Sequence, residues 1–192
     1  MNTSNQNITR VIVIAGMMLL AAFTRLIPHP ANFTAVLAIA LFGGAKFKKP
    51  ALAILIPLVV MLLTDLTYST IRYGSTDVIV GFYSLMPLVY SCIAVTSLIG
   101  IYISKKQNMA FIFLGSVVSS TLFFLVTNAG VWYHSLQYAQ NAQGLTACYA
   151  AGIPFYGNQL LGDLFFNAVL FGAFSLVSKR VPVLKANFER RK

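Results

Sequence analysis

Four small groups of polar side chains interrupt a chain otherwise made of apolar runs: Arg25, His29 and Asn32; Thr64, Asp65 and Tyr68; Asn128, Trp132 and His134; and Asn158, Asp163 and Asn167. A guanidinium can pair an acid, two carboxylates can take a cation or N–H donors, the amides can do both, and an indole can stack on a flat ring. Asp163 and Asn167 are four apart and share one helical face, as do Asn128 and Trp132. An unpaired carboxylate at the depth of Asp163 is costly, so Arg25 is its expected partner. Each residue also has a plainer role available. Arg25 can snorkel to headgroups, Asp65 can cap a helix, Tyr and Trp can form an interfacial belt, and His29 can serve the turn between its two prolines. Together they have the make-up of a small-molecule pocket. Arg25, His29, Asn32, Asp65, Tyr68, Asn128, Trp132, Asn158 and Asp163 are the expected substrate-binding set. No catalytic residue, metal site or cofactor is assigned, since His29 has no second ligand at metal spacing.

The elements that must position these groups are apolar runs at 11–27, 33–45, 51–68, 79–103, 108–132 and 156–178. They predict one domain over residues 1–192, an all-α bundle of six transmembrane helices. The second run is short of the roughly 20 residues a perpendicular span needs. Charge nevertheless favours its crossing. With six crossings and both termini cytoplasmic, the inner side holds Arg10, Lys46, Lys48, Lys49, Lys105, Lys106, Lys179, Arg180, Lys185, Arg190, Arg191 and Lys192, and only Arg25 and Arg72 lie outside. That twelve-to-two split follows the positive-inside rule and predicts a multi-pass protein of the inner (cytoplasmic) membrane. All four polar groups then fall at the outer end, with Tyr68, Tyr73, Tyr83, Tyr133, Tyr138, Tyr149 and Tyr156. The inner halves hold little but aliphatic residues, Phe, Gly and Ser. Residues 28–32 form a tight turn, 69–78 a short polar loop, and 133–155 a loop long enough to act as a lid or wall. The basic tail from Lys179 sets orientation or meets anionic membrane lipids.

Composition excludes several functions. With 58% hydrophobic and 9% charged residues and a mean hydropathy of +0.77, the chain is too apolar for a soluble fold of this size. The net charge of +10 resides in short loop clusters, so nucleic acid is not an expected partner. Cys92 and Cys148 predict neither a disulfide framework nor a zinc site. The stretch from Met1 to Phe23 resembles a signal peptide but is read as a retained first helix, with Arg25 two residues after it. A channel would need polar lining along its whole depth, and a proton relay would need carboxylates or His through the midplane. HExxH, GxSxG and GxxxxGK[ST] are absent from the sequence.

The run Arg25-Leu-Ile-Pro-His-Pro-Ala-Asn-Phe-Thr34, the Ala-rich second helix ending Leu41-Phe-Gly-Gly-Ala45, Met61 with Asp65, Asn128-Ala-Gly-Val-Trp132, and Gly152-Ile-Pro-Phe155 with Asn158 and Asp163 carry a resemblance. The chain resembles a family of bacterial membrane proteins similar to the substrate-binding S components of energy-coupling factor (ECF) transporters. The resemblance implies a six-helix fold with an outward-facing pocket, a membrane coupling subunit as partner, and two cytoplasmic ATPase subunits. Ala31 and Ala35 stand where that family would have proline. The first helix lacks the small-xxx-small pair that S components use for docking; Ala40 and Gly44 in the second have that spacing. The expected function is capture of a small, polar or zwitterionic, partly flat organic solute such as a vitamin-like compound. Arg25 would meet an acidic group, Asp65 and Asp163 a cationic or donating one, and Trp132 would stack. Two other classes stay open: a membrane enzyme using Asp163 with His29 or His134 on a lipid-soluble substrate, and a structural or assembly subunit.

Overall fold

The computed structural model describes residues 3–73, 85–106, 108–181 and 184, and the side chains among them except those of residues 3–5 and 72–73. Arg72, Tyr73, Tyr83, the loop residues 74–78, the first part of the fourth run, and Lys185, Arg190, Arg191 and Lys192 therefore fall outside the described side chains or residues. Among the described residues six α-helices follow in order: α1 (Thr3–Phe23), α2 (Val36–Lys46), α3 (Pro50–Tyr73), α4 (Met86–Ile103), α5 (Met109–His134) and α6 (Ala142–Arg180), with one 3-10 turn at Thr24–Leu26. No strand occurs among the described residues. Five of the helices are long and apolar enough to cross a bilayer, which gives the chain the character of a multi-pass membrane protein. Large apolar side chains such as Ile12, Leu20, Leu98, Leu161 and Leu176 are exposed around the bundle, as they must be where lipid replaces water.

The exception is α2. Its 11 residues rise about 17 Å, against a hydrocarbon core of about 30 Å. It is apolar all round, and such a helix belongs in an interior. Leu37 through Gly44 are all buried, and α2 touches all five of the other helices. On one side Phe42 meets Phe171 and Phe174 of α6 edge to face, with ring centroids 5.2 and 5.8 Å apart. On another, Gly44 lies directly against Gly100 of α4: a Cβ on either would strike the other helix's backbone. The Ala40/Gly44 spacing thus serves internal packing, with both residues buried. It is not a surface left open for docking.

Local chemistry explains most helix starts. Asn108 caps α5 by accepting from the amide of Ala110 at 3.0 Å, and Asn141 caps α6 by accepting from Gly144 at 2.9 Å. Pro50 opens α3 and Pro87 lies in the first turn of α4, where a missing N–H is harmless. The expected lid at 133–155 is corrected: α5 runs to His134 and α6 starts at Ala142, so the loop is only 135–141. The Asn141 cap and a run without proline until Pro154 start the helix some 14 residues earlier than expected, and Pro154 lies inside the helix without ending it. At the other extreme, α1 begins before the expected residue 11 and the last part of its run turns into the 3-10 segment.

Candidate functional site

Arg25 sits in that 3-10 turn, which redirects the chain after α1 and brings the guanidinium against α3. Its Nη1 pairs with Asp65 Oδ1 at 2.5 Å and donates to Thr64 Oγ1 at 3.5 Å. The other carboxylate oxygen of Asp65 accepts from the Tyr90 hydroxyl of α4 at 2.8 Å. The Tyr68 ring lies 5.7 Å from the guanidinium carbon, a cation–π contact that holds Arg25 from a second side. One ion pair thus ties the 3-10 turn, α3 and α4 together.

Asp163 belongs to a different cluster. Its Oδ2 accepts from the Ser120 hydroxyl of α5 at 2.7 Å, and its carboxyl also meets the Gln159 side chain and the amides of Leu37 and Ala38. Those amides are in the first turn of α2, whose own N-cap, Ala35, offers no side-chain acceptor. A carboxylate from α6 therefore satisfies N–H groups that α2 leaves unpaired, in the favourable field of a helix N-terminus. The expected Arg25–Asp163 ion pair is not formed: the 3-10 turn directs Arg25 to Asp65, and Asp163 is satisfied by α2 and α5. One turn further along α6, Asn167 Nδ2 donates to Ser116 Oγ at 2.8 Å. Asp163 and Asn167 do share a buried face.

Two adjoining cavities lie between these clusters. The first, about 200 Å³, is lined by Arg25, Asn32, Thr34, Met61, Asp65, Gln159 and Asp163, with apolar walls from Leu37, Val89 and Phe123. The second, about 270 Å³, lies between α5 and α6 and is lined by Phe124, Thr127, Asn128, Tyr138, Phe155 and Tyr156 among others. Asn32 and Gln159 line both. Asn32 has a left-handed backbone, φ 64°, which Asn tolerates better than most residues; its side chain makes no hydrogen bond among the described residues. Asn128 donates to the Phe124 carbonyl at 2.8 Å and presents its oxygen toward Gly152.

Of the sequence-predicted set, Arg25, Asn32, Asp65 and Asp163 line the first cavity and Asn128 the second. His29, Tyr68, Trp132 and Asn158 line neither. His29 is exposed and bonded to the carbonyls of Pro30 and Arg25. Trp132 donates its indole N–H to the Ala139 carbonyl at 2.9 Å and accepts on its own carbonyl from Gln140, so it closes the 135–141 loop. His134 packs edge-on against Tyr133; neither histidine lines the cavity that holds Asp163. Among the described residues, no three His, Cys, Asp or Glu side chains converge as a metal site would require. Tyr90, Ser120 and Gln159 were missed by the sequence reading. Gln159 had a signal, standing four residues before Asp163 on the face that Asn167 continues.

Residues 5–184 match a family of unknown function, DUF6580. The chain belongs to the DUF6580 family. The match takes in every residue that lines either cavity of this DUF6580 protein. No curated protein and no solved structure matches it.

Proposed function

We propose that this DUF6580 protein is the solute-binding membrane subunit, or S component, of an ECF-type ATP-driven uptake transporter. The observation that carries the reading is the first cavity, where a guanidinium, two carboxylates and two amides from separate segments surround a space of about 200 Å³. That mixture suits a small organic solute. In this reading the chain crosses the inner membrane six times with both termini cytoplasmic, and the cavities open outward. The basic cluster around Arg10, Lys46, Lys48 and Lys49 supports that orientation through the positive-inside rule. Energy comes from a coupling subunit and two ATPases, because the sequence has no nucleotide-binding loop.

The test is reconstitution. Purified protein should retain a small molecule detectable by native mass spectrometry and should not concentrate it when placed alone in liposomes. Uptake should begin when coupling and ATPase subunits are added with ATP. Concentrative uptake by the isolated chain on a proton or sodium gradient would overturn the proposal. The orientation has its own check: a cysteine at Lys48, in a background without Cys92 and Cys148, should resist impermeant maleimide on intact cells and react after permeabilisation.

One observation favours a second reading, a structural or assembly subunit. Asp163 already has several hydrogen-bond donors within the fold, so part of the polar cluster serves helix packing. Absence of any retained solute would favour that reading.

A further inference from the structure

We infer that the solute carries a positive charge on a flat ring, the cationic end meeting the Asp65–Asp163 cavity and the ring meeting the Phe124–Tyr156 cavity. The inference rests on reading these cavities as a solute site, and it replaces the zwitterion that the residue types alone suggest. A free Arg25 would call for an acidic group. In the structure Arg25 is already in an ion pair with Asp65, so an acid arriving there competes with an intramolecular carboxylate held in place by Tyr90. The first cavity then sets one guanidinium against two carboxyl groups, Arg25 against Asp65 and Asp163, with no other ionisable residue in its lining. The donors around Asp163 are neutral: a hydroxyl, a side-chain amide and two backbone amides. A cation supplies what the fold does not, and an anion adds repulsion in a poorly solvated space.

The second cavity supplies the other half. Phe124, Tyr138, Phe155 and Tyr156 all line it, with the Phe124 and Tyr156 ring centroids 5.0 Å apart, an aromatic lining suited to a flat ring and tolerant of a nearby cation. A cavity of about 150 Å³ admits benzene, so each lobe has room for a ring-sized group. Stacking passes from Trp132, which is committed to its loop, to these rings.

Three probes of nearly one shape and different charge test this: benzamidinium, benzamide and benzoate, added to the purified full-length chain in neutral detergent at pH 7. Affinity is read by equilibrium dialysis and thermal shift. Benzamidinium should bind roughly tenfold tighter than benzamide, with benzoate weakest. Because Asp163→Asn could disturb α2, the sharper variant is Asn32→Asp. Asn32 is exposed and makes no side-chain hydrogen bond among the described residues, and Asp also tolerates its backbone conformation. Asn32→Asp should widen the preference for benzamidinium several-fold. Gly152→Leu, whose Cβ would meet Asn128 Oδ1 at 2.5 Å and Phe124 Cε2 at 2.9 Å, should weaken all three probes and keep their order. Equal or tighter binding of benzamide or benzoate overturns the charge assignment, as does an Asn32→Asp variant with unchanged preference. If no probe binds, the inference falls; a solute still retained on purification then leaves the binding-subunit reading standing, and none retained removes both.

Discussion

Asp65→Asn should lower the stability of the purified protein by roughly 2–4 kcal/mol, because it leaves the Arg25 guanidinium without its counter-charge in a partly closed site. The side chains of Arg25 and Asp65 are 21% and 10% exposed, between a surface pair of small worth and a dry pair, which places the effect below the largest buried-pair losses. Arg25→Gln should cost a similar amount, since Asp65 then loses its counter-charge and keeps the Tyr90 hydroxyl. The double variant should recover part of the loss, giving a coupling of at least about 1.5 kcal/mol in a thermal or denaturant cycle. Arg25→Gln combined with Asp163→Asn should couple more weakly than Arg25 with Asp65, because the two residues line one cavity but share no hydrogen-bond partner among the described residues. Strong coupling of Arg25 to Asp163 and none to Asp65 would mean that the ion pairs are exchanged relative to this structure.

The two possible partners of Arg25 show where sequence reading stops. A cation and two carboxylates at matching helix ends are visible in the chain, and so is their convergence. Which carboxylate takes the cation depends on the direction in which the 3-10 turn at Thr24–Leu26 leaves α1, and no spacing rule carries that direction. The same limit hid Tyr90 and Ser120. Both stand in long apolar runs, and they matter only because α4 and α5 turn those faces toward Asp65 and Asp163. Gln159 was within reach, since 159, 163 and 167 form one stripe at helical spacing. The apolar runs located the six described helices, because length and hydropathy act locally. They misplaced the start of α6, where Gly152 and Pro154 read as breakers although the helix, already started at the Asn141 cap, runs through them. Trp132 lines neither cavity for a related reason: its indole N–H satisfies the short loop that the early start of α6 creates.

Gly44→Ala is expected to be among the more damaging single-methyl changes in the bundle, with a loss of at least about 3 kcal/mol. An added Cβ would strike the Ser97 carbonyl oxygen and lie 2.9 Å from the Gly100 Cα. Both are backbone atoms, so no rotamer change relieves the contact and α2 must move away from α4. Elsewhere the same substitution should help. At Gly16 and Gly172 an added Cβ meets nothing within 4 Å, and replacing a helical Gly by Ala there should raise stability by about 0.5–1 kcal/mol. These controls separate the steric effect from helix propensity. The displacement should also reach the site, because Leu37 at the other end of α2 lines the first cavity and its amide meets Asp163. Gly44→Ala should therefore weaken benzamidinium binding although Gly44 lines neither cavity, and Gly172→Ala should leave it unchanged. Thermal unfolding and dialysis on the three variants measure both quantities. A Gly44→Ala protein as stable as its parent would mean that α2 and α4 do not touch through their backbones, and that the short helix is not the rigid post on which the cavity is built.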